Sequence, residues 1–88
     1  MASALFSERY AALVDELAIA RKSAGLTQVE LAARLEKPQS FVSKIERRER
    51  RIDPVELYDW AVALGIPPMV LFENATRRLG TFDRPADS

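Results

Sequence analysis

Thr27-Gln28-Val29-Glu30-Leu31-Ala32-Ala33-Arg34-Leu35-Glu36-Lys37-Pro38-Gln39-Ser40-Phe41-Val42-Ser43-Lys44-Ile45-Glu46 is the stretch on which the architecture of this 88-residue chain turns. Its first four residues have the Thr-x-x-Glu spacing of a capping box, in which the Thr hydroxyl and the Glu carboxylate each satisfy a free backbone N–H at a helix start. A short helix is therefore expected from Gln28 to near Leu35. Pro38 is tolerated only in the first turn of a helix, and Phe41 or Val42 and then Ile45 supply apolar anchors beyond it. That spacing predicts a second helix over about 38–47, two or three residues after the first.

Two short helices joined by so tight a turn cannot lie antiparallel. They must cross steeply, which requires a small residue at the crossing and apolar residues that lock the second helix. Counted from Gln28, Ala32 is fifth, Val42 fifteenth and Ile45 eighteenth, with Leu31 and Leu35 completing the inner face. Each alone is an ordinary core residue; at this spacing they form the pattern of a helix-turn-helix.

The flanks read as helices too. Phe6, Tyr10, Leu13, Leu17, Ala20 and Ala24 step by four and three residues, and Gly25 stands where a helix C-terminus needs a left-handed residue, which predicts a helix over about 7–24. Asp53-Pro54-Val55-Glu56 repeats the start signal, opening a helix that presents Leu57, Ala61 and Leu64 inward and stops at Gly65. Pro68 opens a fifth, with Leu71, Phe72, Ala75 and Leu79 on one face until Gly80. No stretch alternates apolar and polar residues between turn signals, so strands have no support. The expectation is an all-α, five-helix bundle forming one domain over residues 1–80. The tail 81–88, with Pro85, charges and no periodicity, is expected to be disordered.

Composition narrows the function. A chain of 9.9 kDa has room for a single core. It contains no Cys and no His, which excludes disulfides, thiol or imidazole catalysis and the usual zinc and haem ligands. No nucleophile–base pair or phosphate loop is present, so an enzyme is not expected, nor any metal or cofactor. Asp53, Glu56 and Asp59 lack metal-loop spacing and read as structural. The opening residues meet Glu8 and Arg9 at once and cannot form a secretory segment, and no apolar run reaches membrane-spanning length. The protein is thus expected in the cytoplasm, without a membrane partner. Thirteen basic and thirteen acidic side chains cancel over the chain, but not locally. Residues 34–51 carry seven basic and three acidic groups, net +4, against −1 before them and −3 after them. Arg47-Arg48-Glu49-Arg50-Arg51 is either a solvated loop or a patch that attracts polyanions.

Arg21 through Leu64, with Gly25-Leu26-Thr27-Gln28, Ser40-Phe41-Val42-Ser43-Lys44-Ile45-Glu46 and Ala63-Leu64-Gly65, resembles the phage-repressor (Xre/Cro-like) family of DNA-binding proteins over about half the chain. Gln28 and Gln39 begin their helices eleven residues apart, as in many members. The resemblance implies a lambda-repressor-like bundle, double-stranded DNA as partner, and a bacterial or phage-encoded protein associated with the nucleoid. Two positions depart from the pattern. The turn often holds Gly where this chain has Glu36, and many members read Arg-Gly where it has Arg47-Arg48. The turn and the exit of the second motif helix are thus expected to be strained or altered.

On DNA, the side chains of that helix not needed for the core are Gln39, Ser40, Ser43, Lys44 and Arg47. Gln suits the N6/N7 edge of adenine, Lys the O6/N7 acceptors of guanine, and Ser serves any base weakly, so Gln39 and Lys44 lead. Thr27 and Gln28 begin the preceding helix as phosphate donors, with Gln28 also placed to brace Gln39. Arg47, Arg50 and Arg51 are the main loop candidates for phosphates, Lys37 and Arg34 weaker ones, and Arg48 faces water. Phe41 either packs inward or touches a thymine methyl. Trp60 and Tyr58 read as core or dimer contacts. The family also implies an ion pair between Arg21 and Glu46, bridging the first helix to the end of the recognition helix. Met69, Val70, Leu71, Phe72 and Leu79 are more apolar surface than one packed face needs, which suggests a homodimer through Met69, Val70, Leu71 and Phe72. Otherwise the fifth helix folds back on Phe6 and Tyr10 and closes the monomer.

The leading expectation is a homodimeric, sequence-specific regulator, a repressor acting by promoter occlusion. An antitoxin with a toxin partner, or a restriction-modification controller, would use the same DNA-binding half. A helical bundle that binds proteins instead of DNA is the other class, which the neutral overall charge permits.

Overall fold

In the computed structural model, which describes residues 7–79, every helix starts and stops on local chemistry. Helix α1 is Glu8–Ser23; the Ser7 hydroxyl caps it by accepting from the Tyr10 N–H at 2.9 Å. It ends as Gly25 turns left-handed at φ +77° and its N–H reaches the Lys22 carbonyl. Helix α2, Gln28–Leu35, opens on a complete capping box: the Glu30 N–H donates to Thr27 Oγ1 at 3.1 Å and the Thr27 N–H to Glu30 Oε1 at 2.8 Å. Hydrogen bonding to the Thr27 backbone N–H first, and to the Thr27 hydroxyl second, holds the Glu30 carboxyl below the ordinary carboxylate range.

Helix α3 is Gln39–Glu46, shorter than the predicted 38–47. Pro38 is not in its first turn but precedes it in extended conformation, where its carbonyl accepts the Phe41 N–H. Glu36 adopts the left-handed conformation, φ 58° and ψ 42°, while the Lys37 N–H closes on the Ala32 carbonyl at 2.9 Å. The turn thus keeps a geometry that suits glycine, at about 1–2 kcal/mol for a residue with a Cβ. The exit of α3 repeats the device: Arg48 lies at φ 62° and the Glu49 N–H returns to the Lys44 carbonyl at 2.7 Å. Helices α4, Pro54–Leu64, and α5, Pro68–Arg78, follow, α4 opening on an Asp53/Glu56 capping box and ending on left-handed Gly65. Among the described residues there is no strand, and no single helix is long and apolar enough to cross a membrane.

One core takes side chains from all five helices: Leu17, Leu31, Ala32, Val42, Ile45, Trp60, Ala61, Leu64 and Leu71. Trp60, wholly buried, donates its indole N–H to the Leu17 carbonyl at 3.3 Å and so satisfies its one polar atom. Tyr58 is exposed. On α1 the buried face is centred on Val14, Leu17 and Arg21, with Tyr10, Leu13 and Ala20 at its margin and Ala24 in solvent.

Helix α5 lies chiefly against α1 and also against α4, so it closes the monomer. This corrects the expected dimer surface in one respect. Leu71 is 0% exposed and belongs to the core, as does Ala75, whereas Met69 at 75% exposure, Val70 and Phe72 remain outside. A helix with Leu71 inward must turn the adjacent Phe72 about 100° away, so Phe72 does not share the buried face as predicted. Phe6, Gly80 and the tail 81–88, expected from sequence to be disordered, lie outside the described residues.

Candidate nucleic-acid interface

The two motif helices are tied to α1 by a carboxylate near the core. Glu46, in the last turn of α3, accepts from Arg21 Nε at 2.7 Å and Nη2 at 3.0 Å, and from Gln28 Nε2 at 2.9 Å. Arg21 spends its remaining nitrogen on the Leu26 carbonyl at 2.8 Å, in the connection between α1 and α2. Both ionised side chains are only 8% exposed, and such a pair is tolerable there because its donors and acceptors are matched. Gln28 therefore braces Glu46; no hydrogen bond joins it to Gln39. With its side chain so engaged, Gln28 has its backbone N–H at the start of α2 for an anion, beside the exposed Thr27.

Val42 and Ile45 anchor α3 in the core, which leaves the opposite side of a two-turn helix outward. Gln39, Ser40 and Lys44 are exposed there, and Ser43 is half-buried, with its hydroxyl donating to the Ser40 carbonyl at 3.4 Å. Lys44 makes no ion pair among the described residues. The outward row thus combines an amide, a hydroxyl and a free ammonium, the donor and acceptor types that read base edges in a major groove.

The basic loop is less uniform than its composition. Arg47 pairs with Glu49 at 3.0 Å, but both side chains are more than half exposed, so the pair is weak and Arg47 is readily released. Arg51 lies over the Tyr10 ring, 5.3 Å from its centroid, while the Tyr10 hydroxyl accepts the Ile52 N–H. Arg48 is exposed with no ion pair among the described residues. Arg50 is different: both terminal nitrogens grip Glu56, each at 2.8 Å, and its guanidinium sits 4.8 Å from the Phe41 centroid. The Arg50 hydrogen bonds, more than the Asp53 N–H, hold the Glu56 carboxyl below the ordinary carboxylate range despite some desolvation. Arg50, expected from sequence at a phosphate, has three of its five guanidinium N–H donors spent on Glu56 and the Arg51 carbonyl, so a phosphate would compete with this grip. Phe41 is half-buried against the core edge, with Lys37 as a second cation near its ring. Arg34 donates to the Ala63 carbonyl and ties α2 to α4.

Sequence reading passed over two roles here. Glu56 was legible as a capping residue, but its grip on Arg50 depends on a loop conformation that no local spacing encodes. The place of Phe41 beneath Arg50 is hidden for the same reason.

Comparisons with known proteins agree with this geometry. The helix-turn-helix (HTH_3) family matches residues 17–71. An XRE-family like protein from Pseudomonas syringae pv. tomato str. DC3000 is 51% identical in sequence, covering 78% of this chain and 84% of its own, with a TM-score of 0.73. A hypothetical transcription factor, NHTF from Neisseria, is 28% identical over 73% of this chain and 74% of its own, with a TM-score of 0.65. The restriction-modification controller protein C.Esp1396I shares the fold at a TM-score of 0.77, with 23% identity over 88% of this chain and 99% of its own. Among curated proteins no sequence matches the chain. With the family match spanning more than half the chain and centred on α2 and α3, the chain belongs to the XRE family of helix-turn-helix DNA-binding transcription regulators.

Proposed function

We propose that this protein is a homodimeric repressor that binds double-stranded DNA sequence-specifically and occludes a promoter. The observation that carries the reading is the outward row of α3, Gln39, Ser40 and Lys44, on a helix locked from behind by Val42 and Ile45 and followed by Arg47, Arg48 and Arg51. Gln39 and Lys44 address base edges, with Ser40 and Ser43 adding weaker contacts. Thr27, the N-terminal N–H groups of α2 and the unclamped loop arginines address phosphates on either side. One such helix reads only a few base pairs. Two copies with recognition helices about 34–36 Å apart read successive turns on one face, so dimerisation supplies the specificity. Met69, Val70 and Phe72, outward on α5, are the surface for a second copy. A dimer seated across two half-sites covers the DNA it reads, and a promoter there is closed to polymerase.

Selection of bound duplexes from a random pool tests the DNA reading. It is expected to return a two-fold symmetric motif whose half-sites are about one helical turn apart; a pool that stays random overturns it. Sedimentation tests the dimer. Wild type is expected to dimerise at tens of micromolar and a Met69→Glu, Phe72→Glu variant to remain monomeric, while a monomeric wild type overturns this part.

A further inference from the structure

We infer that Arg50 is a positioning residue for base recognition: through a fork onto Glu56 and a stack on Phe41 it fixes the N-terminal turn of α3, and it is not a phosphate contact. The inference rests on the DNA-binding reading and assigns Arg50 a different part in it. Arg50 Nη1 and Nη2 meet Glu56 Oε1 and Oε2, each at 2.8 Å, and Nη1 also donates to the Arg51 carbonyl at 2.8 Å. The fork is bidentate and shielded chiefly on the carboxylate side, with the Glu56 side chain 18% and the Arg50 side chain 42% exposed. Glu56 is itself fixed, because Oε1 accepts the Asp53 N–H at 3.0 Å in the capping box of α4. Helix α4 in turn is anchored by Trp60, Ala61 and Leu64 in the core. The guanidinium so placed lies 4.8 Å from the centroid of Phe41, within cation–π range.

Phe41 directly follows Ser40 and is two residues from Gln39, the base-reading end of α3. Val42 holds the inner side of that end in the core, but no side chain caps the helix, and Pro38 stands at the cap position. In the first turn of α3, Phe41 is the large apolar side chain outside the fully buried set, and Arg50 is the link from it to α4. The backbone N–H of Arg50 reaches the Lys44 carbonyl at 3.2 Å, so the same residue also folds the loop against the far end of α3. A lysine cannot reproduce this arrangement, since it offers a point charge without a fork.

The experiment compares wild type with Arg50→Lys, Arg50→Ala and Glu56→Gln on two duplexes: one with the sequence that wild type enriches from a random pool, and a scrambled one of the same composition. Affinity is measured over a range of salt, well below each variant's melting temperature. All three variants are expected to lose about tenfold or more in the ratio of specific to scrambled affinity, the size of one misplaced base contact, with the salt slope on scrambled DNA unchanged. A phosphate contact predicts the opposite pattern. Arg50→Lys would then match wild type, Arg50→Ala would lower the slope by about 0.9, and Glu56→Gln would tighten binding by freeing the cation. That pattern, or an unchanged ratio in Arg50→Lys, overturns the positioning role while the DNA reading stands. A wild type that enriches no sequence overturns both together.

Discussion

Removing the Glu46 carboxylate should unfold this domain more readily than removing any surface charge, and the contacts set the size of the effect. In Glu46→Ala, Arg21 loses the partner of Nε at 2.7 Å and of Nη2 at 3.0 Å, and Gln28 loses its acceptor at 2.9 Å. What remains to Arg21 is a single bond to the Leu26 carbonyl. The guanidinium cannot escape to water from a site where its side chain is 8% exposed, so a charge stays buried with its field uncompensated. Breaking one partner of such a pair costs about 3–5 kcal/mol, a large share of the ~4–13 kcal/mol that holds a domain of this length together. At ~4–8 °C per kcal/mol for small domains, the midpoint should fall by roughly 12–40 °C. Glu49→Ala is the control: its pair with Arg47 is 53–59% exposed and contributes about 0–1 kcal/mol. Thermal and urea melts followed by circular dichroism measure both. Equal midpoints for the two variants would refute the argument that burial makes the difference. A third variant, Arg21→Met with Glu46→Leu, removes both charges and should be less destabilised than Glu46→Ala, because no ion is left stranded.

Gln39→Ala should lose roughly 1–3 kcal/mol of discrimination at one base position while scrambled DNA binds as before, read from a binding selection with the variant. Arg51→Ala should weaken binding to all sequences alike and shallow the salt slope by about 0.9 if it meets one phosphate; an unchanged slope would remove Arg51 from the contact. Arg48→Gly should raise the melting temperature: a left-handed residue with a Cβ costs about 1–2 kcal/mol, and the looser unfolded chain takes back about 0.4–1. Lowered stability would show that the Arg48 side chain makes a contact outweighing this strain. The Arg50–Glu56 fork carries a pH signature. A carboxyl whose folded value is lowered contributes stability that is complete above its ordinary value of 4.5 and is lost as pH falls through the folded value. The stability gap between wild type and Glu56→Gln should therefore be constant near neutrality and close in acid below pH 4.5; a gap that widens in acid would contradict it.

Helix identity was legible because its signals are local. Thr27 with Glu30, and Asp53 with Glu56, act over three residues, and both capping boxes form as their spacing requires. The left-handed turn at Glu36 follows from the register of Ala32, Val42 and Ile45, which demands a steep crossing whichever residue occupies the corner. The outward positions of Gln39, Ser40 and Lys44 follow from the same register, since locking two apolar residues inward leaves the rest of a short helix outside.

Side-chain partnership was decided by tertiary packing. Periodicity marks Leu71 and Phe72 equally as apolar, and only the docking of α5 on α1 determines that Leu71 enters the core while Phe72 faces out. Composition makes Arg47, Arg48, Arg50 and Arg51 one basic cluster. The loop fold instead hands Arg50 to Glu56 and Phe41 and lays Arg51 over Tyr10, leaving Arg48 without a carboxylate partner among the described residues. Gln28 could pair with either end of α3, and the buried Glu46, already fixed by Arg21, captures it. Caps and helical period depend on neighbours a few bonds away and are written in residue order; ion pairs and stacks depend on distances between helices, which exist only once the core has closed.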